Sequence, residues 1–196
     1  MNNKVQNVLL GVLAIGLIGI TVAYAALTQQ LKIEGTAKVA SSKWDVHFGT
    51  VSAGNAQGYA TAGTLAKTGE TTIAGDIGTL KAPGDSITYT FDIENAGDIN
   101  AIIDTVTGGQ SFTCTSATKS VADAVCKDLT YSIKYTDGNT TIAKGDQLAK
   151  ATNSSTPTKK NVTSTLTYKS TATTVASEDV TVTADPMTIT YVQDAK

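Results

Sequence analysis

The feature that most restricts the fold of this chain is a strict alternation of apolar and polar residues in its middle. In the stretch SITYTFDIEN, residues 86–95, the large apolar residues share one parity: Ile87, Tyr89, Phe91 and Ile93. Successive side chains of a β-strand point to opposite faces of a sheet, so the pattern predicts a strand with one buried and one solvated face. A helix would instead need apolar residues three or four positions apart.

The same alternation recurs along the chain, and turn sequences separate the repeats. Further strands are predicted from WDVHF (44–48), LTYSIKY (129–135), VTSTLTY (162–168) and MTITYVQ (187–193). Turns are predicted at APGDS (82–86), NAGD (95–98) and TDGN (136–139), where glycine can adopt a positive φ. Many short antiparallel strands joined by such turns predict an all-β fold, a jelly-roll-like antiparallel β-sandwich.

Two stretches depart from this pattern. Residues 53–72 are rich in Gly, Ala and Thr, and they predict an insertion or a loosely ordered edge. The stretch KSVADAVCKDL, residues 119–129, is the candidate for the only short helix of the domain. No repeat and no long biased linker divides the rest of the chain, which predicts one domain.

The N-terminal region has the pattern of a cleavable hydrophobic signal helix. A polar start with Lys4 precedes an apolar run over residues 8–22, and Ala23, Tyr24 and Ala25 supply small residues at alternate positions. We therefore expect a signal peptide over residues 1–25 and a mature domain over residues 26–196, beginning at Ala26. Because the run approaches the roughly 20 residues that span a bilayer, an uncleaved membrane anchor is the alternative. In both cases the rest of the chain lies outside the cytoplasm.

Composition argues against nucleic-acid binding and gives no indication of a cofactor. The chain has 15 basic and 17 acidic residues, and every basic residue is Lys. A mildly acidic chain without Arg lacks the basic surface and the bidentate phosphate donors that nucleic-acid-binding proteins use.

The candidates for catalysis and metal binding are few. His47 is the only histidine, so the chain can form neither an HExxH site nor a site with several imidazole ligands. Its parity is opposite to that of Val46 and Phe48, which predicts a position on the outer face of its strand. We expect no catalytic residue, no metal site and no enzymatic activity.

The two cysteines lie close together in the sequence. Cys114 and Cys126 would close a loop of about 13 residues, and in a chain outside the cytoplasm this spacing favours a structural disulfide. Two free thiols are the alternative.

Several of these segments resemble the TasA and camelysin family. The ending LAIGLIGI…AYAA is similar to signals processed by the SipW type of signal peptidase, and residues 79–106 resemble the family's PGD turn followed by two alternating strands. The turn between those strands here is NAGD, residues 95–98, and the long insertions of some members are missing. The resemblance implies a secreted jelly-roll subunit of extracellular fibres in a Gram-positive biofilm matrix. The peptidase label of some camelysin relatives gains no support from a single histidine.

The resemblance also implies a mechanism of assembly by donor-strand exchange. The segment released by cleavage, residues 26–39, would complete the sheet of the neighbouring subunit. In extended form its apolar residues share one face: Leu27, Leu31, Ile33, Ala37 and Val39. The alternative is that residues 28–39 form the first strand of their own domain, because both kinds of pairing use the same backbone hydrogen bonds.

Three functions remain open at this point. The first is a self-assembling fibre subunit, whose partners are further copies of itself and a SipW-type signal peptidase. The second is a membrane-tethered monomeric surface or adhesive module, attached to the membrane only through the uncleaved signal segment. The third is a secreted hydrolase, which would depend on His47 or on a metal.

Overall fold

The structure, a computed structural model, describes residues 35–153 and 155–194 together with residues 3, 4, 7, 10, 12–15 and 17. The chain divides into two units, residues 1–40 and 41–196. In the first unit the described residues up to Leu17 are helical, and residues 35–40 are exposed and form neither helix nor strand. Among the described residues, no helix combines the length and the hydropathy that crossing a membrane requires.

In its described residues, the second unit contains 14 strands and one α-helix. In chain order the elements are β1 (Val46–Val51), β2 (Asn55–Gln57), β3 (Thr61–Ala62), β4 (Ala66–Gly69), β5 (Thr72–Ala74), β6 (Gly78–Thr79), β7 (Ser86–Asn95), β8 (Ala101–Thr107), β9 (Phe112–Thr115), α1 (Lys119–Cys126), β10 (Leu129–Tyr135), β11 (Gln147–Leu148), β12 (Thr158–Tyr168), β13 (Thr181–Ala184) and β14 (Thr188–Gln193). All strand pairs among the described residues are antiparallel, and the described part of the second unit is all-β apart from α1 and a 3-10 turn at Asp137–Asn139.

The first sheet is built on the long pairing of β7 with β12. These strands are paired from Thr158 opposite Asn95 to Thr167 opposite Ser86. β10 pairs with the far side of β12, and β1 and β2 pair with different parts of the far side of β7. The first sheet is therefore four strands wide along its length.

The second sheet is a narrow ribbon. β8 pairs with β14, and β9 pairs with β13. A hydrogen bond from Asp185 N to Ser111 O, 2.9 Å long, joins the two pairs. Gly108 and Gly109, both with positive φ, lie between β8 and β9, and there the ribbon bends. The two-residue strand β11 pairs with the start of β8, so the ribbon is two strands wide over most of its length.

The two sheets pack against each other through their apolar faces. One buried cluster combines Phe91, Ile133 and Val162 from the first sheet with Ala101 and Ile103 from the ribbon. These residues point inward because the alternation of their strands places every second side chain on the same face. The strands predicted from residues 86–95, 129–135, 162–168 and 187–193 are confirmed, with the expected face buried in β7.

Residues 53–72, predicted as an insertion or a loose edge, form short strands instead. β3 pairs with β6, and β4 pairs with β5. These small pairs are not extended by any strand of the two large sheets among the described residues. The prediction missed them because two- to four-residue strands in a Gly-rich stretch leave almost no periodicity to detect.

The Asp85 carboxylate organises the turn that precedes β7. Its two oxygens accept backbone N–H groups from Tyr59 at 2.8 Å, Lys81 at 2.7 Å and Ala82 at 2.9 Å. The side chain is only 1% exposed. Gly84, in the same turn, has φ +96°, a conformation that favours glycine. One buried carboxylate thus ties the chain after β2 to the start of the central strand.

Cys114 and Cys126 form a disulfide between β9 and the end of α1, with their α-carbons 5.9 Å apart. The predicted helix is present, and it buries Ala122 and Val125. Val125 belongs to a second buried cluster with Leu129 and Tyr168. The disulfide therefore fastens the helix and this second cluster to the ribbon.

We predict that Asp85→Asn lowers the free energy of unfolding by about 2–4 kcal/mol at pH 7. An amide cannot accept all three backbone N–H groups and directs its own NH₂ group towards them, which leaves buried donors unpaired. Chemical denaturation of both proteins at pH 7 measures the difference.

The pH dependence provides an independent check of Asp85. Burial by itself would raise the pKa of this carboxyl, but the three N–H donors outweigh it and hold the pKa below its usual value of 3.8. The contribution is therefore fully present above the unfolded pKa of about 3.9 and is lost as the pH falls through the lower folded pKa. The stability difference between the two proteins should stay constant above about pH 5 and shrink below about pH 4. A difference that grows on acidification would contradict this assignment.

We also predict that replacing both Cys114 and Cys126 by Ala lowers the free energy of unfolding by about 2–3 kcal/mol, because the unfolded chain regains the entropy of the open loop. Urea denaturation with and without a reductant measures the loss. The reductant should destabilise the wild-type protein by a similar amount and leave the double variant unchanged.

Candidate functional site

A large groove lies between the first sheet and the ribbon, with a volume of about 1270 Å³. On one side Phe91, Ile133 and Leu166 of the first sheet line it. On the other side the lining residues include Val182, Met187 and Ile189 from β13, β14 and the turn between them. The volume is above the 300–1,000 Å³ that is usual for small-molecule pockets. A small compact ligand would therefore leave part of the groove unfilled.

The groove arises from the unequal widths of the two sheets. The alternation in β10, β12 and β14 turns apolar side chains inward, and the ribbon that faces the four-stranded first sheet is only two strands wide over most of its length. Among the described residues, β13 and β14 each pair with one strand only. Their outer edges consequently have backbone N–H and C=O groups available for a further strand.

The groove also divides the hydrophobic core. The cluster around Phe91 and Ile133 and the cluster around Leu129 and Tyr168 are separate, and the groove is lined by members of both. Most domains have one contiguous core with smaller satellites under loops.

The charges around the groove are mostly negative. Among the described lining residues there are four carboxylates, from Asp76, Glu178, Asp179 and Asp185, and one ammonium group, from Lys81. Glu178 accepts a hydrogen bond from Thr118 N at 2.6 Å, just before α1, and Asp185 accepts one from Ser111 Oγ at 3.1 Å. A segment with a net positive charge is favoured beside such a rim.

Part of the groove is covered by residues 63–77, which we call the flap. The flap contains the β4–β5 pair, and its two ends meet where β3 pairs with β6. Leu65, Ile73 and Ile77 of the flap line the groove. This role could not be predicted from the sequence, since single apolar residues separated by Gly and Thr do not form a recognisable pattern.

His47 lies away from the groove lining, in a charged network on the opposite face of the first sheet. Its Nδ1 atom is 2.7 Å from Asp45 Oδ1, and its Nε2 atom is 3.7 Å from Glu94 Oε2. Lys159 Nζ lies 2.7 Å from the other Glu94 oxygen. The outward position agrees with the strand parity, but the side chain is only 19% exposed and is partnered.

The charged side chains of this network pair with one another. The neighbouring Lys43, together with His47, lowers the pKa of Asp45, and the carboxylates of Glu94 and Asp92 raise the pKa of Lys159. Within the described part of the chain, no group of three or more His, Cys, Asp or Glu residues is placed to hold a metal ion. The arrangement joins β7 to β12 through the ion pairs of Lys159 with Glu94 and Asp92, and it places His47 of β1 beside Glu94 of β7.

The residues predicted to take part in processing and assembly lie mostly outside the described residues. This holds for the cleavage positions Ala23, Ala25 and Ala26, and for Leu27, Leu31 and Ile33 of the candidate donor strand. Ala37 and Val39 are described: both are exposed, Val39 to 95%, and neither is in a strand. The own-domain alternative concerns residues 28–39, of which 28–34 lie outside the described residues, so the donor-strand assignment and this alternative both stay predictions.

Comparison of the chain with models of protein families, with curated proteins and with solved structures found no match.

Proposed function

We propose that this protein is a secreted structural subunit that assembles into extracellular fibres by donor-strand exchange. The domain is a jelly-roll-like sandwich with one position left for a strand from a neighbouring copy. The observation that carries the proposal is the groove between a wide sheet and a narrow ribbon, which divides the core and adjoins strand edges with unused backbone groups.

The proposed occupant is the segment of residues 26–39 from the next subunit. In extended form these residues span roughly 46 Å at 3.3 Å per residue, enough to run along an elongated groove. The odd-numbered residues Leu31, Ile33 and Val39 would face the apolar lining. The even-numbered positions carry Lys32, Lys38 and Glu34, so the segment brings a net positive charge to a rim that is mostly acidic.

Backbone hydrogen bonds would also fix the direction in which the segment lies in the groove. A strand laid beside β13 or β14 forms main-chain hydrogen bonds with an open edge, and its alternate side chains fill pockets in the groove. The same segment cannot be held in its neighbour while it is the continuation of a membrane-inserted helix. Cleavage after Ala25 by a SipW-type signal peptidase would therefore release both the subunit and its assembly strand.

The resemblance to the TasA and camelysin family also supports this function. The PGD turn that carries it contains Asp85, whose buried carboxylate sets the start of β7, and β7 contributes Phe91 to the groove. The proposal accordingly places the protein in an extracellular matrix or on a cell surface, with other copies of itself as its main partners. No enzymatic activity is part of it.

We predict that Leu31→Asp raises the concentration needed for fibre formation by at least about 100-fold. Burying an unpaired carboxylate in an apolar groove costs several kcal/mol, and 2.7 kcal/mol already corresponds to a factor of 100. The matched control is Gln30→Asp, which adds the same charge to the opposite face and should change this concentration by less than about threefold. Sedimentation of assembled protein and electron microscopy measure both variants.

The experiment uses protein recovered from the outside of its own cells, with the N-terminus determined by sequencing and intact mass. An N-terminus at Ala26 with filaments supports the proposal. A retained Met1–Ala25 segment with dispersed particles would instead indicate the membrane-tethered surface module. Normal fibres after deletion of residues 26–34 would exclude the donor-strand mechanism and leave the fibre role to another interface.

A further inference from the structure

The flap, residues 63–77, makes few buried contacts and can separate from the groove at a low cost in free energy. All four residues of β4 are exposed, and in β5 only Ile73 is partly buried. Within the described residues, one backbone hydrogen bond joins the β4–β5 pair to the large sheets, from Phe48 N to Glu70 O at 2.8 Å. Segments with few buried apolar contacts open at low free energy.

The ends of the flap are suited to act as a hinge. The flap begins and ends at the two-residue β3–β6 pair, where Gly63 N also donates to Ile77 O at 3.1 Å. Gly75 and Gly78 have φ values of +139° and +124°, conformations that side chains rarely allow. The Tyr89 hydroxyl, from the central strand β7, donates to Ile77 O at 3.0 Å and anchors the base of the flap. The base of the flap is therefore fixed by hydrogen bonds, whereas the β4–β5 pair at its tip is held mainly by Ile73 and by the hydrogen bond from Phe48 N to Glu70 O.

Ile73 is the main apolar contact of the tip. It packs against the first buried cluster, which contains Phe91 and Ile133, and it lines the groove. Its neighbours Thr72 and Ala74 are exposed, so β5 presents one apolar side chain to the core and polar or small ones to solvent. In this respect Ile73 resembles one apolar side chain of a donor strand, which would also enter the groove from an extended segment.

We propose that the flap is an internal substitute for the donor strand, with Ile73 occupying part of the groove in the free subunit and leaving it when the strand of the next subunit enters. This inference rests on the proposed function. The flap shields apolar surface of the subunit before assembly, and its few contacts keep the cost of displacement low. It thereby sets the rate at which an incoming strand gains access to the groove.

Two alanine variants on the same strand test the role of Ile73. Ile73→Ala removes most of the apolar contact of the tip and should increase the rate of fibre elongation about tenfold, a factor that corresponds to about 1.4 kcal/mol. Thr72→Ala changes the adjacent exposed residue and should leave the rate within about twofold of the wild type. Light scattering of the protein with its N-terminus at Ala26 gives the rates, and electron microscopy confirms that the product is the same fibre.

A measurement on the wild-type protein does not depend on how the variants fold. Hydrogen exchange of free subunits and of fibres should show that amides in residues 66–74, and Phe48 N, lose protection on assembly. Amides of β13 and β14 should gain protection over the same step. Adding Leu31→Asp to Ile73→Ala should abolish the rapid assembly, which distinguishes strand insertion from aggregation of a loosened protein.

The outcomes separate this inference from the proposed function. The flap proposal would be overturned by two results together: the flap stays as protected in fibres as in the free subunit, and Ile73→Ala elongates at the wild-type rate. The fibre function would remain intact in that case. Rapid assembly that survives Leu31→Asp would also overturn it. If the wild-type protein forms no fibres at any concentration, both proposals are wrong.

Discussion

The pairing of β7 with β12 is the constraint on which the rest of the structure depends. Ten consecutive residue pairs join these strands, and the large apolar side chains that they turn inward are buried. This long pairing provides a wide, apolar inner face. The ribbon of β8–β9 and β13–β14 that faces it is narrower, and the groove lies between the two.

The mismatch between the sheets connects the stability of the subunit to its proposed assembly. Apolar surface left in the groove contributes nothing to the folded monomer, but burying it releases roughly 25 cal/mol for each Å². A donor strand would bury this apolar surface and would at the same time form hydrogen bonds with the unpaired strand edges.

The free subunit needs protection for the same reason. An open strand edge beside apolar surface is a hazard, because any extended segment can pair with it. The flap covers part of the groove with a side chain from the same chain, while Asp85 and the Cys114–Cys126 disulfide make the two flanks rigid. Asp85 and the disulfide hold the segments beside the groove strongly, whereas the flap over the groove is held by weak contacts. The flap can therefore open locally while the sheets stay folded.

The N-terminal segment combines two sequence patterns with different physical requirements. The apolar run before Ala25 suits a membrane, and the alternating run after it suits a strand. Residues 79–106, which carry the family resemblance, also contribute to the groove through Leu80, Lys81 and Phe91.

The sequence by itself determined which residues face inward, where the chain turns and which cysteines can pair. Periodicity, turn chemistry and short-range spacing act within about ten residues, and so β7, β10, most of β12, β14 and the helix could be read directly. The sequence did not determine the groove, the flap or the partners of His47. Which strand edges remain open depends on pairings between residues far apart in the chain, such as β8 with β14. Only the tertiary structure decided these features, because a strand's own pattern specifies the face it buries and contains nothing about the width of the sheet that will cover it.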